Sequence, residues 1–398
     1  MLTLFGYGIT TKAIAKKFGK CRIYDDKFSA ATFDKYGNEF LASELFNPDN
    51  SILEVTSPGI PPTHPLIQKA KNLVSEYDLF ASTMPYSVWV TGTNGKTTTT
   101  DMMGHLLKKR GGVTGGNIGT PLATLDEKAP LWILETSSFT LHYTNIAVPN
   151  IYVILPVTPD HISWHGSFEA YEEAKLKPLR QMQEGEVVIL PEKYKDVPTK
   201  AMKITYENAK DLAEYFDIEL HKVHFREPFL TDALLALGVT KILFDEIDYD
   251  RINSYHIGKH RMEEFVDRRG RLWINDSKAT NPDATIAALE SYHEQKIHLI
   301  LGGDDKGAGL DALFEKLKDM DVEIYAIGAN LDRLRAESQK YKLPFYACHT
   351  LEKAVSRIDQ NHDTDSIAML SPAAASLDQF SSYAHRGEDF FKFINNLS

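Results

Sequence analysis

Residues 88–100 read VWVTGTNGKTTTT. A β-forming run, Val88-Trp89-Val90, passes into a glycine-interrupted turn and then into a lysine followed by four threonines. Strand, tight loop and helix start is the order in which a chain cradles phosphate. Glycines let the backbone approach, loop N–H groups and the helix dipole favour an anion, and the lysine adds a point charge. The candidate loop residues are Gly92, Thr93, Asn94, Gly95, Lys96, Thr97 and Thr98, with the Thr97 hydroxyl suited to a Mg²⁺ ion. Val90 stands where the usual G-x-x-x-x-G-K-[ST] pattern has its first glycine. Threonine is a poor helix former, so intrinsic propensity did not select the run of four.

Outward from this loop the same alternation continues. The β-rich runs TLFGYG, RIYDD, LWILETSS, NIYVILPV, VVILP, LWINDS, IHLILGG, EIYAIG and SIAMLSP are mostly separated by segments of helical period. Strand and helix in alternation predict an α/β fold with largely parallel sheets. At 398 residues the chain exceeds one ordinary core. A polar stretch ending in Pro85 and a second break between Tyr249 and Lys259 divide it into three expected domains, residues 1–84, 85–256 and 257–398. They are read as an N-terminal Rossmann-like domain, a central P-loop mononucleotide-binding sheet and a C-terminal Rossmann-like domain.

With 43% hydrophobic and 25% charged residues, the composition is that of a globular enzyme. A net charge of -11 argues against a broad nucleic-acid surface or an anionic-membrane patch. Two distant cysteines, Cys21 and Cys348, indicate no disulfide framework. MLTLFGYGIT has neither a basic leader nor a long apolar run, and no segment approaches the ~18 apolar residues of a membrane span. A cytoplasmic protein without membrane insertion is expected.

A nucleotide loop needs carboxylates near its metal. Glu135 ends the apolar strand LWIL, and strand carboxyl ends are where open α/β sheets present functional groups. Asp160 and His161 likewise follow the strand IYVIL. His161 and His165 are four apart, but no third ligand at zinc spacing accompanies them; His161 is read as functional and His165 as a surface residue. No N-K-x-D element follows the loop, which disfavours a GTPase. At the N-terminus, Gly6-Tyr7-Gly8 followed by Asp25-Asp26 is a partial dinucleotide fingerprint with Thr11 in place of its third glycine. It supports a nucleotide pocket without specifying NAD.

TGTNGKTT (91–98), GGNIGTP (115–121), LETSSF (134–139), PDH (159–161), EEAKLK (172–177), HRME (260–263), NDSKATNPDA (275–284), LGGDDKG (301–307) and LSPAAASLDQFSSYAHRG (370–387) occur in one order along nearly the whole chain. This ordered set resembles the Mur ligases, and NDSKATN with LSPAAASLDQF resembles the branch that adds D-glutamate. SPGI (57–60) fits the same family.

The resemblance implies ATP-dependent joining of D-glutamate to UDP-N-acetylmuramoyl-L-alanine (UDP-MurNAc-L-Ala) during peptidoglycan precursor synthesis, through an acyl phosphate and a tetrahedral intermediate, by a chain expected to act as a monomer. Catalysis would fall to Lys96, Glu135, His161 and Lys175. Two Mg²⁺ sites would draw on Thr97, Glu135, His161 and Lys175, the last as a carbamate formed with CO₂. From the residues alone Lys175 is an ordinary solvated helix lysine.

The third domain would close over ATP, with Arg261 on phosphate and Asp276 on ribose. Lys278, Thr280, Lys306, Ser376, Leu377 and Tyr383 would form the D-glutamate pocket. Gly8, Ile9, Thr10, Gly59, Asn117, Ser137 and His161 would meet the UDP-substrate.

One segment departs from the family pattern. PFLTDALLAL (228–237) has Pro228, Phe229 and Asp232 where relatives carry His, Asn and Asn, so an altered adenine contact is expected. Two other readings compete: a sister ligase for another amino acid, and a non-catalytic nucleotide-binding switch. The joint presence of Lys96, Glu135, His161 and Lys175 disfavours the switch.

Overall fold

The structure is a computed structural model that describes residues 1–397. All ten of the β-rich runs, that of the opening stretch included, form strands, and with eight further strands they make up three six-stranded sheets. The middle sheet runs in the order Met202–Tyr206, Val187–Pro191, Ile151–Ile154, Tyr86–Thr91, Leu131–Glu135, Gly112–Gly116, with every pair parallel. Its inner strands are buried along their length, as in LWILE, because helices cover both faces of a parallel sheet. Register places Val90 opposite Glu135 and Thr91 opposite Ile154, so the phosphate loop and Glu135 leave the sheet at the same edge.

The first sheet, in the order Thr32–Phe33, Glu39–Leu41, Arg22–Tyr24, Thr3–Phe5, Glu54–Thr56, Leu73–Val74, has one antiparallel pair at its edge. The third repeats that design in the order Glu263–Val266, Leu272–Asn275, Ser366–Leu370, Lys296–Gly302, Val322–Ile327, Phe345–His349. The chain forms two compact units, one of residues 1–225 and 229–255, the other of 226–228 and 256–398. The first unit contains two sheets. Leu4, Ile14, Ile23, Val55, Tyr77 and Phe80 share a core with Trp89, Trp132, Leu134 and Tyr152. Both tryptophans are fully buried, and burial of large side chains at ~25 cal/mol per Å² is what binds the two sheets into one body.

The TTTT run does form helix, within Lys96–Leu107. Tertiary packing overrides propensity here: Thr98, Thr99 and Thr100 are buried with Met102, Met103, Leu106 and Leu107, and the helix lies against Phe229–Phe244, whose residues 232–240 are buried throughout.

Candidate active site

Two positive-φ glycines shape the loop. Gly92 has φ of 143°, and a Cβ there would come within 2.4 Å of Leu155 Cβ; Gly95, with φ of 82°, precedes the helix, and a Cβ would lie 2.6 Å from Asp232 Oδ1. No other residue type fits either place without displacing its neighbour. Thr93 holds the loop to the adjacent strand end: its N–H donates to Pro156 O (3.0 Å), its hydroxyl contacts Thr158 O and Tyr171 OH (both 3.0 Å), and it accepts from Thr158 N–H (2.9 Å). Lys96 Nζ donates to Gly92 O (3.0 Å) and Thr93 O (2.7 Å).

A second lysine reaches the same carbonyl. Lys175, on the helix Phe168–Leu176, is 1% exposed, and its Nζ donates to Gly92 O (2.7 Å) and contacts Thr91 Oγ1 (3.3 Å), 4.7 Å from the centre of the Tyr171 ring. Burial drives its pKa well down, and the charge of Lys96 pushes in the same direction against the opposing pull of Asp160 and Glu135. The solvated lysine expected from the residues alone is therefore a buried amine biased towards its neutral form.

Glu135 is 3% exposed; its Oε1 accepts from Asn117 Nδ2 at 2.6 Å, while Oε2 is buried with no hydrogen-bond partner. A buried, unpaired carboxylate oxygen beside a phosphate loop suits a cation. Asn117 also donates its backbone N–H to Glu135 O (2.8 Å), and Gly116 precedes it at φ of 84° because a Cβ would strike Glu135 O at 2.3 Å. Among the described residues no group of three His, Cys, Asp or Glu side chains forms a metal cage. Mg²⁺ is commonly held by one or two protein oxygens, with phosphate and water completing its shell. Thr97, half-buried on the first helical turn, belongs to this region.

His161 takes a left-handed backbone, φ of 53°, at the start of the short helix Ile162–His165, with Nε2 3.6 Å from Asp160 Oδ2. Its ring lies 4.6 Å from Phe139. His165 corrects the surface assignment. It is half-buried in an aromatic cluster with Phe139, His142, Trp164 and Tyr171, its Nε2 is 3.0 Å from Ser138 Oγ, and burial lowers its pKa to about 4.

In the first sheet, Gly8 opens the helix Ile9–Phe18, with Ile9 exposed and Thr10 half-buried. Asp25 accepts from Tyr7 N–H (2.7 Å) and Lys27 N–H (2.9 Å), so its carboxylate fastens the glycine turn. Thr10, Thr56, Pro58, Glu76, Tyr77, Asn117, Thr140 and Tyr143 line one pocket within the first unit. Glu76 accepts from Ala123 N–H (3.1 Å), and burial raises its pKa to about 7. Gly59 is exposed, and nothing lies within 4 Å of where its Cβ would be. Ser137 caps the helix Ser138–Tyr143 by accepting from Thr140 N–H (3.1 Å).

Asp232 is buried and accepts from Thr99 Oγ1 at 2.8 Å. The departure from the family pattern is thus directed at the helix behind the phosphate loop, which sequence separation concealed.

In the second unit Asp276 is buried, accepting from Met262 N–H (3.2 Å) and Ser371 Oγ (2.7 Å), and burial raises its pKa to about 7. His260 Nδ1 lies 3.0 Å from Asn275 Nδ2, and Gly387 must be glycine because a Cβ would meet His260 Nδ1 at 2.3 Å. Arg261 is half-buried. Lys278 Nζ sits 4.1 Å from the centre of the Tyr383 ring, and Ser376 is buried. Thr280, Lys306 and Leu377 are exposed, the last by 69%. The reading of the sequence passed over Arg386, which is 1% exposed; the only signal was an arginine followed by glycine inside an apolar helix pattern.

Comparison with known proteins agrees with this arrangement. Residues 90–262 match the Mur ligase middle domain and residues 260–373 the Mur ligase glutamate ligase domain. A UDP-N-acetylmuramoylalanine–D-glutamate ligase of Campylobacter jejuni is 52% identical over all of both chains, and one of Helicobacter pylori is 46% identical over 99% of each. Among solved structures, the MurF ligase of Thermotoga maritima in complex with ADP superposes with a TM-score of 0.58 at 16% identity, covering 87% of this chain and 88% of its own. MurC of the same organism gives 0.57 at 15%, covering 98% of each; at such identities the likeness concerns the fold. The chain belongs to the Mur ligase family.

Proposed function

We propose that this chain is the ATP-dependent ligase that joins the amine of D-glutamate to the carboxyl of UDP-N-acetylmuramoyl-L-alanine in peptidoglycan precursor synthesis. The observation that carries the reading is the convergence of Lys96 and Lys175 on Gly92 O beside a carboxylate, Glu135, that keeps one oxygen unpaired. Full-length identity of 46–52% to relatives bearing the D-glutamate ligase name supports the substrate pair.

A carboxylate is a poor acyl donor. Transfer of the γ-phosphoryl group of ATP to it gives an acyl phosphate; the amine then attacks the carbonyl carbon, the C–N bond forms, and phosphate leaves from the tetrahedral intermediate. Both steps concentrate negative charge. The glycine-shaped loop presents backbone N–H groups, and Lys96 supplies a cation, where that charge develops. Glu135 and Thr97 suit one Mg²⁺, and His161 with a carbamate on Lys175 suits a second; when bound, the ions neutralise phosphoryl oxygens. A carbamate requires a neutral amine to attack CO₂ and lose a proton, and the buried environment of Lys175 supplies one.

The three-domain division assigns residues 1–84 and the pocket holding Thr10 and Asn117 to the UDP-substrate, 85–256 to ATP, and 257–398 to D-glutamate, with Lys306 as counter-charge for a carboxylate. Phosphate release measured with ATP, Mg²⁺, UDP-MurNAc-L-Ala and D-glutamate, each omitted in turn, tests the whole. Turnover should vanish without any one of them and when L-glutamate or L-lysine replaces D-glutamate; turnover independent of D-glutamate overturns the assignment.

A further inference from the structure

Arg386 lies on the helix Tyr383–Asn395 with 1% of its surface exposed. Its guanidinium makes four hydrogen bonds, all to neutral oxygens: Nε to Ser277 Oγ (3.0 Å), Nη2 to Ser277 O (2.8 Å), and Nη1 and Nη2 to Ala374 O (each 3.1 Å). Among the described residues no carboxylate forms an ion pair with it; the charges of Asp378 and Asp276 act on it from farther away. Burying a cation on neutral acceptors is a poor way to gain stability, since an apolar side chain of similar volume would fill the space without desolvating a charge. What the planar fork provides is geometry: five N–H donors in one plane fix their acceptors at set positions, which a lysine's rotatable ammonium does not.

The acceptors occupy telling places. Ser277 precedes Lys278 and stands three residues before Thr280, while Ala374 stands two before Ser376. Ser277 Oγ donates in turn to Tyr383 O (2.8 Å), and Tyr383 carries the ring beneath Lys278. One buried side chain therefore ties together the three segments that bear Lys278 and Thr280, Ser376 and Leu377, and Tyr383.

We propose that Arg386 is a positioning residue that sets the spacing of the amino-acid pocket, and so the affinity for D-glutamate, without touching the substrate. The inference rests on the D-glutamate pocket assigned above. The test compares R386K with K306A in the intact enzyme, measuring KM for each of the three substrates, kcat and thermal stability. R386K should raise KM for D-glutamate at least tenfold while KM for ATP and for the UDP-substrate moves less than twofold; free guanidinium added to R386A should partly restore the D-glutamate KM.

A purely structural role would lower the melting temperature and move all three KM values together, or none, and either result overturns the proposal. A selective effect of K306A with none from R386K leaves the pocket standing and the positioning role refuted. A selective effect of R386K with none from K306A supports the positioning role and removes Lys306 from the pocket. If R386K does not accumulate as folded protein, S277A keeps the cation, deletes one acceptor, and must show the same selective rise.

Discussion

The phosphate-loop region of the first unit and the proposed amino-acid pocket of the second are built on opposite plans. Around the loop the chemistry-bearing groups are themselves buried and held: Lys175 is 1% exposed and Glu135 3%. In the second unit Thr280, Lys306 and Leu377 are exposed, and rigidity comes from behind them, through Asp276, Ser277 and Arg386. The proposed ligands account for the difference. A triphosphate is recognised by preorganised backbone and a few desolvated charges, which must stand ready in low dielectric; a small zwitterionic amino acid is caught by exposed counter-charges whose spacing is set by a scaffold.

The largest expected effect tests the buried plan. Lys175→Ala should lower turnover by about 10²–10³-fold, the usual cost of deleting one preorganised electrostatic group. Millimolar formate or acetate should restore part of it by supplying oxygens in the vacated space. Full turnover in the variant would show that Lys175 only fills volume. Next in size, Gly92→Ala forces a Cβ to 2.4 Å from Leu155 at φ of 143° and should destabilise the first unit by about 2–3 kcal/mol and abolish ATP binding. Gly59→Ala, with nothing within 4 Å, should leave the denaturation midpoint in place. Equal midpoints for the two variants would contradict the loop geometry.

On the exposed plan, Lys306→Ala should raise KM for D-glutamate about tenfold, equivalent to ~1.4 kcal/mol. Thermal stability should stay within experimental scatter, because the side chain is exposed. A melting temperature that falls with the KM would mean that Lys306 belongs to the scaffold.

How much of this was legible in the sequence follows the same division. Loop, strand ends and helix starts are local features, and from spacing alone VWVTGTNGKTTTT with LWILETSS singles out Lys96, Thr97 and Glu135, which the fold places at one end of the middle sheet. The family motifs pointed at Lys175, but nothing local distinguishes a buried lysine from a solvated one. Its burial depends on which face of Phe168–Leu176 meets Gly92 across the fold. Asp232 is 133 residues from Thr99 and Arg386 is 109 from Ser277, so neither contact has a signature in pattern or period. His165 went astray for a related reason: spacing from His161 does not reveal that Phe139, His142 and Tyr171 pack around it.

The smallest effect concerns where each unit keeps its unpaired polar groups. In the first unit Glu135 Oε2, one such atom, lies at the site. In the second His298 Nε2 is one such atom, on a ring 5.6 Å from that of His362. His298 belongs to the strand Lys296–Gly302, and His362 Nδ1 is bonded to Ser366 Oγ (2.9 Å) at the start of the strand Ser366–Leu370, the ends opposite the LGGDDKG turn. Burial, then the neighbouring His298 and Arg271, lowers the His362 pKa to about 4, while a hydrogen bond with the Leu272 backbone and then the charge of Asp267 oppose the shift. In the unfolded chain the ring binds a proton near pH 6.5. Between those values the unfolded state holds more protons, so stability rises with pH through the window and is lost on acidification from about 6.5 towards 4. Urea denaturation of the whole chain at pH 7.5 and 5.8 should show a loss assigned to His362 of roughly 1 kcal/mol, and His362→Gln should remove that loss while leaving kcat at pH 7.5 unchanged. An identical pH dependence in the variant would mean that acid sensitivity originates elsewhere, in a group such as His165 whose lowered pKa acts in the same sense, and not in Glu76 or Asp276, whose raised pKa values act in the opposite direction.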